Sequence, residues 1–266
     1  MSPLAGLLLL TTPTNPGTPV LPAGERPAIV REIGFDQRLG ESLPLDAVFR
    51  DEAGRRVRLG DYFGRRPVVL NLVYFDCPML CTVSLNGLAS ALEVVSYTPG
   101  LEFELVTVSF DPKETPGLAA AKKKAYLARY PRPQAEAGWH FLTGDKSEID
   151  RLTRAVGFRY AWDEEMRQFA HPAGLVVLTP SGTVSRYLFG IEYSPKDLRL
   201  ALVESGEGKI GGPVDSFLLY CYRYNPLTGR YSASILNVVR LASVLTLAAL
   251  GGFIYAMRRR ERAAAP

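Results

Sequence analysis

Pro67-Val68-Val69-Leu70-Asn71-Leu72-Val73-Tyr74-Phe75 runs straight into Asp76-Cys77-Pro78-Met79-Leu80-Cys81, and this stretch decides the fold. The first nine residues form an apolar run of strand length, rich in β-branched and aromatic side chains. Such a run suits a strand covered on both faces, as parallel strands between helix layers are. From Val83 to Val95 the apolar residues take helical spacing. The two cysteines therefore stand where a buried strand meets a helix N-terminus.

The pattern continues on both sides. Upstream, Val48 to Leu59 reads as a hairpin turning at Asp51-Glu52-Ala53-Gly54. Downstream, Phe103 to Phe110 is a second buried strand. Thr115 to Tyr130 opens with Thr then Pro, a helix start. Trp139 to Leu142 is a short strand and Asp145 to Val156 a helix. Ala173 to Thr179 and Val184 to Phe189 flank Pro180-Ser181-Gly182 as a hairpin, and Pro195 to Glu204 is a last helix. Alternating strands and helices predict an α/β fold with a mostly parallel sheet; the closing hairpin adds an antiparallel part.

Cys77 and Cys81 are spaced Cys-x-x-x-Cys, one residue longer than the common thiol oxidoreductase motif. The helix N-terminus favours a thiolate, the form that attacks disulfides and binds soft metals. If both residues were helical, their Cβ atoms would lie about 5–6 Å apart. A disulfide wants roughly 3.5–4.5 Å, so a bridge requires Cys77 in the turn before the helix, which Pro78 supports. Two thiolates slightly apart also suit a bridging metal ion. The remaining alternative is a pair of buried, inert thiols.

The chain has only two histidines. His140 lies inside a predicted strand and reads as a hydrogen-bonded structural residue. His171 precedes the apolar strand at Gly174 and is followed by Pro172. That loop position leaves it balanced between structural residue and ligand. Cys221, among Tyr and Phe residues, reads as a lone structural thiol, with a second metal or redox role as the alternative.

Apolar residues make up 47% and charged residues 22% of 266, so the chain can bury a core and is not disordered throughout. Three cysteines exclude a disulfide scaffold, and two histidines exclude a His-rich zinc enzyme. The net charge is +4, of which the last nine residues carry +3. No nucleic-acid partner is expected from so small a remainder. Residues 1–24 contain the weakly signal-like Leu4 to Leu10, with no Lys or Arg before it. Residues 25–41 read as a linker, 42–206 as the globular domain and 207–234 as a juxtamembrane segment. Residues 235–257 are 23 in number and largely apolar, long enough to cross a core of roughly 30 Å as one C-terminal transmembrane helix; a buried core helix is the alternative. The basic cluster Arg258-Arg259-Arg260 places the tail, 258–266, in the cytoplasm. The expected location is the cell (inner) membrane, single-pass, with the domain extracytoplasmic.

Tyr74 to Cys81, then Val106-Thr107-Val108-Ser109-Phe110-Asp111-Pro112-Lys113-Glu114-Thr115-Pro116, then His171 before its strand, resemble the Sco/SenC family of cytochrome c oxidase assembly proteins. The resemblance runs from about residue 42 to 206. It implies a thioredoxin-like fold, a central mixed sheet flanked by helices with an N-terminal β-hairpin. It implies copper, as Cu(I) or Cu(II), held by Cys77, Cys81 and His171, with Asp111 behind them. Delivery to the CuA-bearing subunit of the oxidase, from a donor chaperone, is the implied task. Reduction of the cysteines of an oxidase subunit or another exported protein by Cys77 and Cys81, as a thiol–disulfide oxidoreductase, is the alternative. A peroxidase is disfavoured by the lack of a Thr/Ser-x-x-Cys motif. Two features depart from the family: Thr82 follows the second cysteine where many members have Pro, and the expected anchor is C-terminal rather than N-terminal.

Overall fold

The apolar run at 67–75 becomes the strand Val68–Val73, with all six side chains buried. The structure is a computed structural model that describes residues 29–77, 80–210, 224–225, 230–231, 243–248, 250–252, 255 and 257. The first elements are α1 (Ile29–Glu32), β1 (Gly34–Phe35), the hairpin β2 (Val48–Arg50) and β3 (Arg56–Arg58), a 3-10 turn (Leu59–Tyr62) and β4 (Val68–Val73). Then come α2 (Leu80–Val94), β5 (Glu104–Ser109), α3 (Pro116–Arg129), α4 (Ala135–Gly138), β6 (Trp139–Leu142) and α5 (Lys146–Ala155). They are followed by β7 (Phe158–Arg159), β8 (Ala161–Asp163), β9 (Gln168–Ala170), β10 (Gly174–Leu178), β11 (Val184–Phe189) and α6 (Pro195–Gly206). A short pair, β12 (Tyr224–Asn225) and β13 (Arg230–Tyr231), lies further along.

The central sheet has the order β11-β10-β4-β5-β6. β4, β5 and β6 are parallel, with Leu70 opposite Val106 and Val106 opposite His140. β10 runs antiparallel to β4, and β11 antiparallel to β10. Parallel neighbours need long crossovers, and α2 and α3 supply them. This is the mixed, helix-flanked sheet expected of a thioredoxin-like domain, with the N-terminal hairpin in place.

Local chemistry explains where the helices start. The Thr115 side chain caps α3 by accepting the Leu118 N–H, and Pro116 fills the first turn. Ser194 and Pro195 do the same for α6. α2 and α3 lie side by side: the Tyr126 hydroxyl donates to Asn86 Oδ1 at 3.3 Å and Arg129 donates to Ser90 Oγ at 3.1 Å. At Gly87 an added Cβ would stand 1.9 Å from the Ile191 carbonyl oxygen. Glycine there lets α2 press directly on the chain between β11 and α6.

The expected C-terminal transmembrane helix is overturned. Among the described residues no helix is long and apolar enough to cross a membrane. Within 235–257 the described residues, 243–248, 250–252, 255 and 257, are helical. The single-pass topology inferred from that span is left without support among the described residues. Residues 1–24, Cys221, Arg240 and the basic cluster lie outside the described residues.

Candidate metal centre

Topology brings the predicted site residues together. β4 ends at Val73, and the chain leaves it through Tyr74, Phe75 and Asp76 to Cys77. β10 is antiparallel to β4, with Leu175 opposite Asn71 and Leu178 opposite Val68. The start of β10 therefore lies at the C-terminal end of β4, and His171, three residues before it, meets the cysteine loop. Open α/β sheets place their sites at this end.

Cys77, Cys81 and His171 are all buried, and their ligand atoms lie within 4.8 Å of one another. The cysteines are not disulfide-bonded. Cys77 Sγ accepts the Cys81 N–H at 3.3 Å, so it sits in the turn before α2 and faces the helix N-terminus. Cys81 Sγ accepts the Tyr74 N–H at 3.3 Å and lies 3.1 Å from His171 Nε2. Cys77 is the outer thiol at 7% exposure and Cys81 the inner one at 1%.

The histidine's second nitrogen settles its tautomer. His171 Nδ1 lies 2.9 Å from the Pro172 carbonyl oxygen, which can only accept. Nδ1 therefore carries the proton in the neutral ring, and Nε2 turns its lone pair toward Cys81. Metal-binding histidines are oriented by a backbone carbonyl in this way. Aromatic rings fix the plane: Phe110 and Tyr74 stand edge-on to His171 at centroid distances of 5.1 and 5.9 Å.

Burial pushes the Cys81 thiol well above its ordinary range, and the neighbouring Cys77 adds to this. With the proton on Nδ1, Nε2 can only accept, so the 3.1 Å contact is a Cys81 S–H donating to His171 Nε2. Burial also raises the Tyr74 phenol, with Cys77 beside it as the next cause.

Asp111, expected behind the ligands, is tied to the end of β5: its N–H donates to Ser109 Oγ at 3.1 Å. Its Oδ1 accepts the Lys113 N–H at 2.9 Å and turns the loop after β5. The residue that reaches the cysteine loop is Glu114. Its carboxylate accepts the Phe75 and Asp76 N–H groups at 2.7 Å each, and the Ser109 hydroxyl at 2.5 Å. Sequence reasoning missed Glu114. The available signal was an acidic residue in the loop at the C-terminal end of the neighbouring parallel strand. His140 lies elsewhere, 3.3 Å from Glu104 at the opposite end of β5.

A two-cysteine, one-histidine group on a mixed sheet invites comparison with known families. The SCO1/SenC family model matches residues 44–203, well over half of the 266 residues. The chain belongs to the SCO1/SenC family. Among solved structures, this SCO1/SenC chain is similar to a putative electron transfer protein from Aquifex aeolicus VF5. That match is 25% identical with a TM-score of 0.57, over 65% of this chain and 96% of that one. It shares its fold with Arabidopsis thaliana ScoI, a structure with copper bound, at 19% identity and a TM-score of 0.50, covering 64% and 99% of the two chains. A SCO1/SenC family lipoprotein from Bacillus anthracis str. Ames gives 19% and 0.50, over 64% and 100%. No curated protein matches the chain.

Proposed function

We propose that this SCO1/SenC protein is a copper chaperone that takes part in assembling the CuA centre of cytochrome c oxidase. Copper is its cargo, carried by Cys77, Cys81 and His171. The observation that carries this reading is the convergence of two thiols and one correctly oriented imidazole within 4.8 Å. The donor set fits copper: soft thiolates select Cu(I), and an imidazole extends the range to Cu(II). Hard cations want oxygen ligands, and the nearby Glu114 carboxylate is already occupied by two amides and a hydroxyl. The bound copper would pass to thiolates of a CuA-bearing subunit by ligand exchange, Cys77 being the more exposed donor. We place the domain outside the cytoplasm, in accord with the lipoprotein description of the Bacillus relative.

Loading must displace protons. The Cys81 thiol is held protonated by burial and donates to His171 Nε2. Raising pH therefore favours the metal-bound form. Cu(I) affinity, measured against a competing chelator between pH 6 and 8, is expected to rise about tenfold per pH unit for each proton released. One equivalent bound with that slope supports the reading; no competitive binding, or an affinity flat with pH, contradicts it.

A second reading is favoured by Cys77 Sγ facing the helix N-terminus. As a thiol–disulfide oxidoreductase, the Cys77 thiolate would attack a target disulfide and release one target thiolate. Cys81 would give its proton to His171 Nε2, attack Cys77 Sγ and release the second target thiolate. The product is a Cys77–Cys81 disulfide and a target reduced by two electrons.

A further inference from the structure

Cys77 is reached through a loop with no regular structure, yet its sulfur must be held against Cys81. Cys81 is fixed by α2, by the Tyr74 amide and by His171. On the Cys77 side, the two residues before it are held from across the sheet. Glu114 Oε2 accepts the Phe75 N–H at 2.7 Å and the Ser109 hydroxyl at 2.5 Å, while Oε1 accepts the Asp76 N–H at 2.7 Å. Ser109 is the last residue of β5 and lies opposite Val73, the last residue of β4. The Phe110 N–H bonds the Val73 carbonyl at 2.9 Å just beyond them. Glu114 therefore ties the two residues before Cys77 to the rigid end of the sheet. It consumes both amides that the chain would otherwise leave unpaired as it turns.

We infer that Glu114 is a positioning residue for the thiol pair, its carboxylate setting where Cys77 stands relative to Cys81 by holding the two residues before it. This rests on the proposed reading, in which Cys77 and Cys81 act as a pair. A carboxylate suits the task because it is acceptor-only, with lone pairs for three donors at once. Glutamine keeps the shape but turns one acceptor into an N–H₂ donor, which opposes an amide N–H. Alanine removes the clamp altogether. With Cys77 loosened, its effective concentration toward Cys81 falls, and the bridge between them becomes easier to reduce.

The test uses the full chain, metal-free, equilibrated in glutathione buffers of defined ratio. For Glu114→Ala the equilibrium constant for forming the Cys77–Cys81 bridge is expected to fall about tenfold, close to 30 mV for this two-electron couple. Glu114→Gln should lie between it and the parent. Hydrogen exchange at the Phe75 and Asp76 amides should speed up about tenfold in the alanine variant, in step with the bridge constant. If both variants keep the parent's bridge constant and exchange rates, even with a lowered melting temperature, the positioning role is wrong. Should the alanine variant fail to fold, the glutamine variant decides alone. Cu(I) titration of the parent in parallel separates the two levels. A parent that binds no copper overturns the proposed cargo and leaves the bridge constants readable. Unchanged bridge constants beside a copper-binding parent overturn only the role of Glu114.

Discussion

His171→Ala is expected to weaken copper binding by more than about 100-fold, because changes in the outer shell alone cost metal sites about 10- to 100-fold and this change removes a proposed ligand. The loss should be confined to the metal. His171 is nearly fully buried, but it packs at the edge of the core between Phe110 and Tyr74. The Cys81 sulfur keeps the Tyr74 N–H, and Cys77 keeps the Cys81 N–H. The bridge between the cysteines should therefore still form on oxidation. Competitive Cu(I) titration and a thiol count before and after oxidation check both halves. Copper affinity equal to the parent's would show that the imidazole is not a ligand. Loss of the bridge as well would show that the variant had disturbed the whole loop.

The largest effect on stability is expected from Trp139→Ala. Trp139 is fully buried at the start of β6, opposite Leu105. Its Nε1–H donates to Thr107 Oγ1 at 3.0 Å, and the rings of Phe141 and Tyr126 lie at 5.5 and 5.8 Å. Truncation removes the ring, leaves a cavity against close-packed neighbours and strips Thr107 of its donor. The cost is about 3–5 kcal/mol, a large share of the 5–15 kcal/mol by which domains are stable. Urea unfolding should show a lower midpoint at an unchanged slope. Trp139 lies at the end of the sheet away from Cys77, so folded variant should keep the copper stoichiometry. A loss under about 1 kcal/mol would mean that the site collapses around the gap.

How much could be read in advance follows from how local each cause is. β4, β6 and β11 were legible because an unbroken or β-rich apolar run of 4–8 residues, closed by turn residues, has few other fates. β6 and β11 fall on Trp139–Leu142 and Val184–Phe189 as read. α3 was legible from Thr115 and Pro116, whose capping acts within one turn. α2 starts at Leu80 rather than Val83, because apolar spacing cannot register a first turn in which Cys81 and Thr82 already take part. The β8–β9 hairpin was missed for a clear reason. Ala161 to Ala170 carries no Gly, Pro or Asn at its turn. The turn is made instead by Asp163 Oδ1 accepting the Glu165 and Met166 N–H groups, with Arg167 at φ 50°. The span at 235–257 was read from length, hydropathy and the basic cluster after it, whereas among the described residues no helix is long and apolar enough to cross a membrane.

The site divides in the same way. Cys77 and Cys81 were legible as a pair because their spacing and the strand-to-helix junction are sequence-local. His171 lies 90 residues beyond Cys81, and only the antiparallel placement of β10 beside β4 brings it there. Residue spacing left it undecided; the family resemblance singled it out. Glu114 stands inside the motif that carries the resemblance but was not singled out, because its role depends on how two loops at neighbouring strand ends face each other.

The central claim is that the two thiols and the imidazole form one copper-carrying group. Its most direct test is titration of the reduced, metal-free full chain with Cu(I) against a competing chelator, and with Cu(II) by optical absorption, beside a Cys77→Ser/Cys81→Ser variant. The account predicts one tightly held equivalent in the parent, with a sulfur-to-copper charge-transfer band for Cu(II), and neither in the variant. Equal binding by parent and variant, or no competitive binding by the parent, would contradict it.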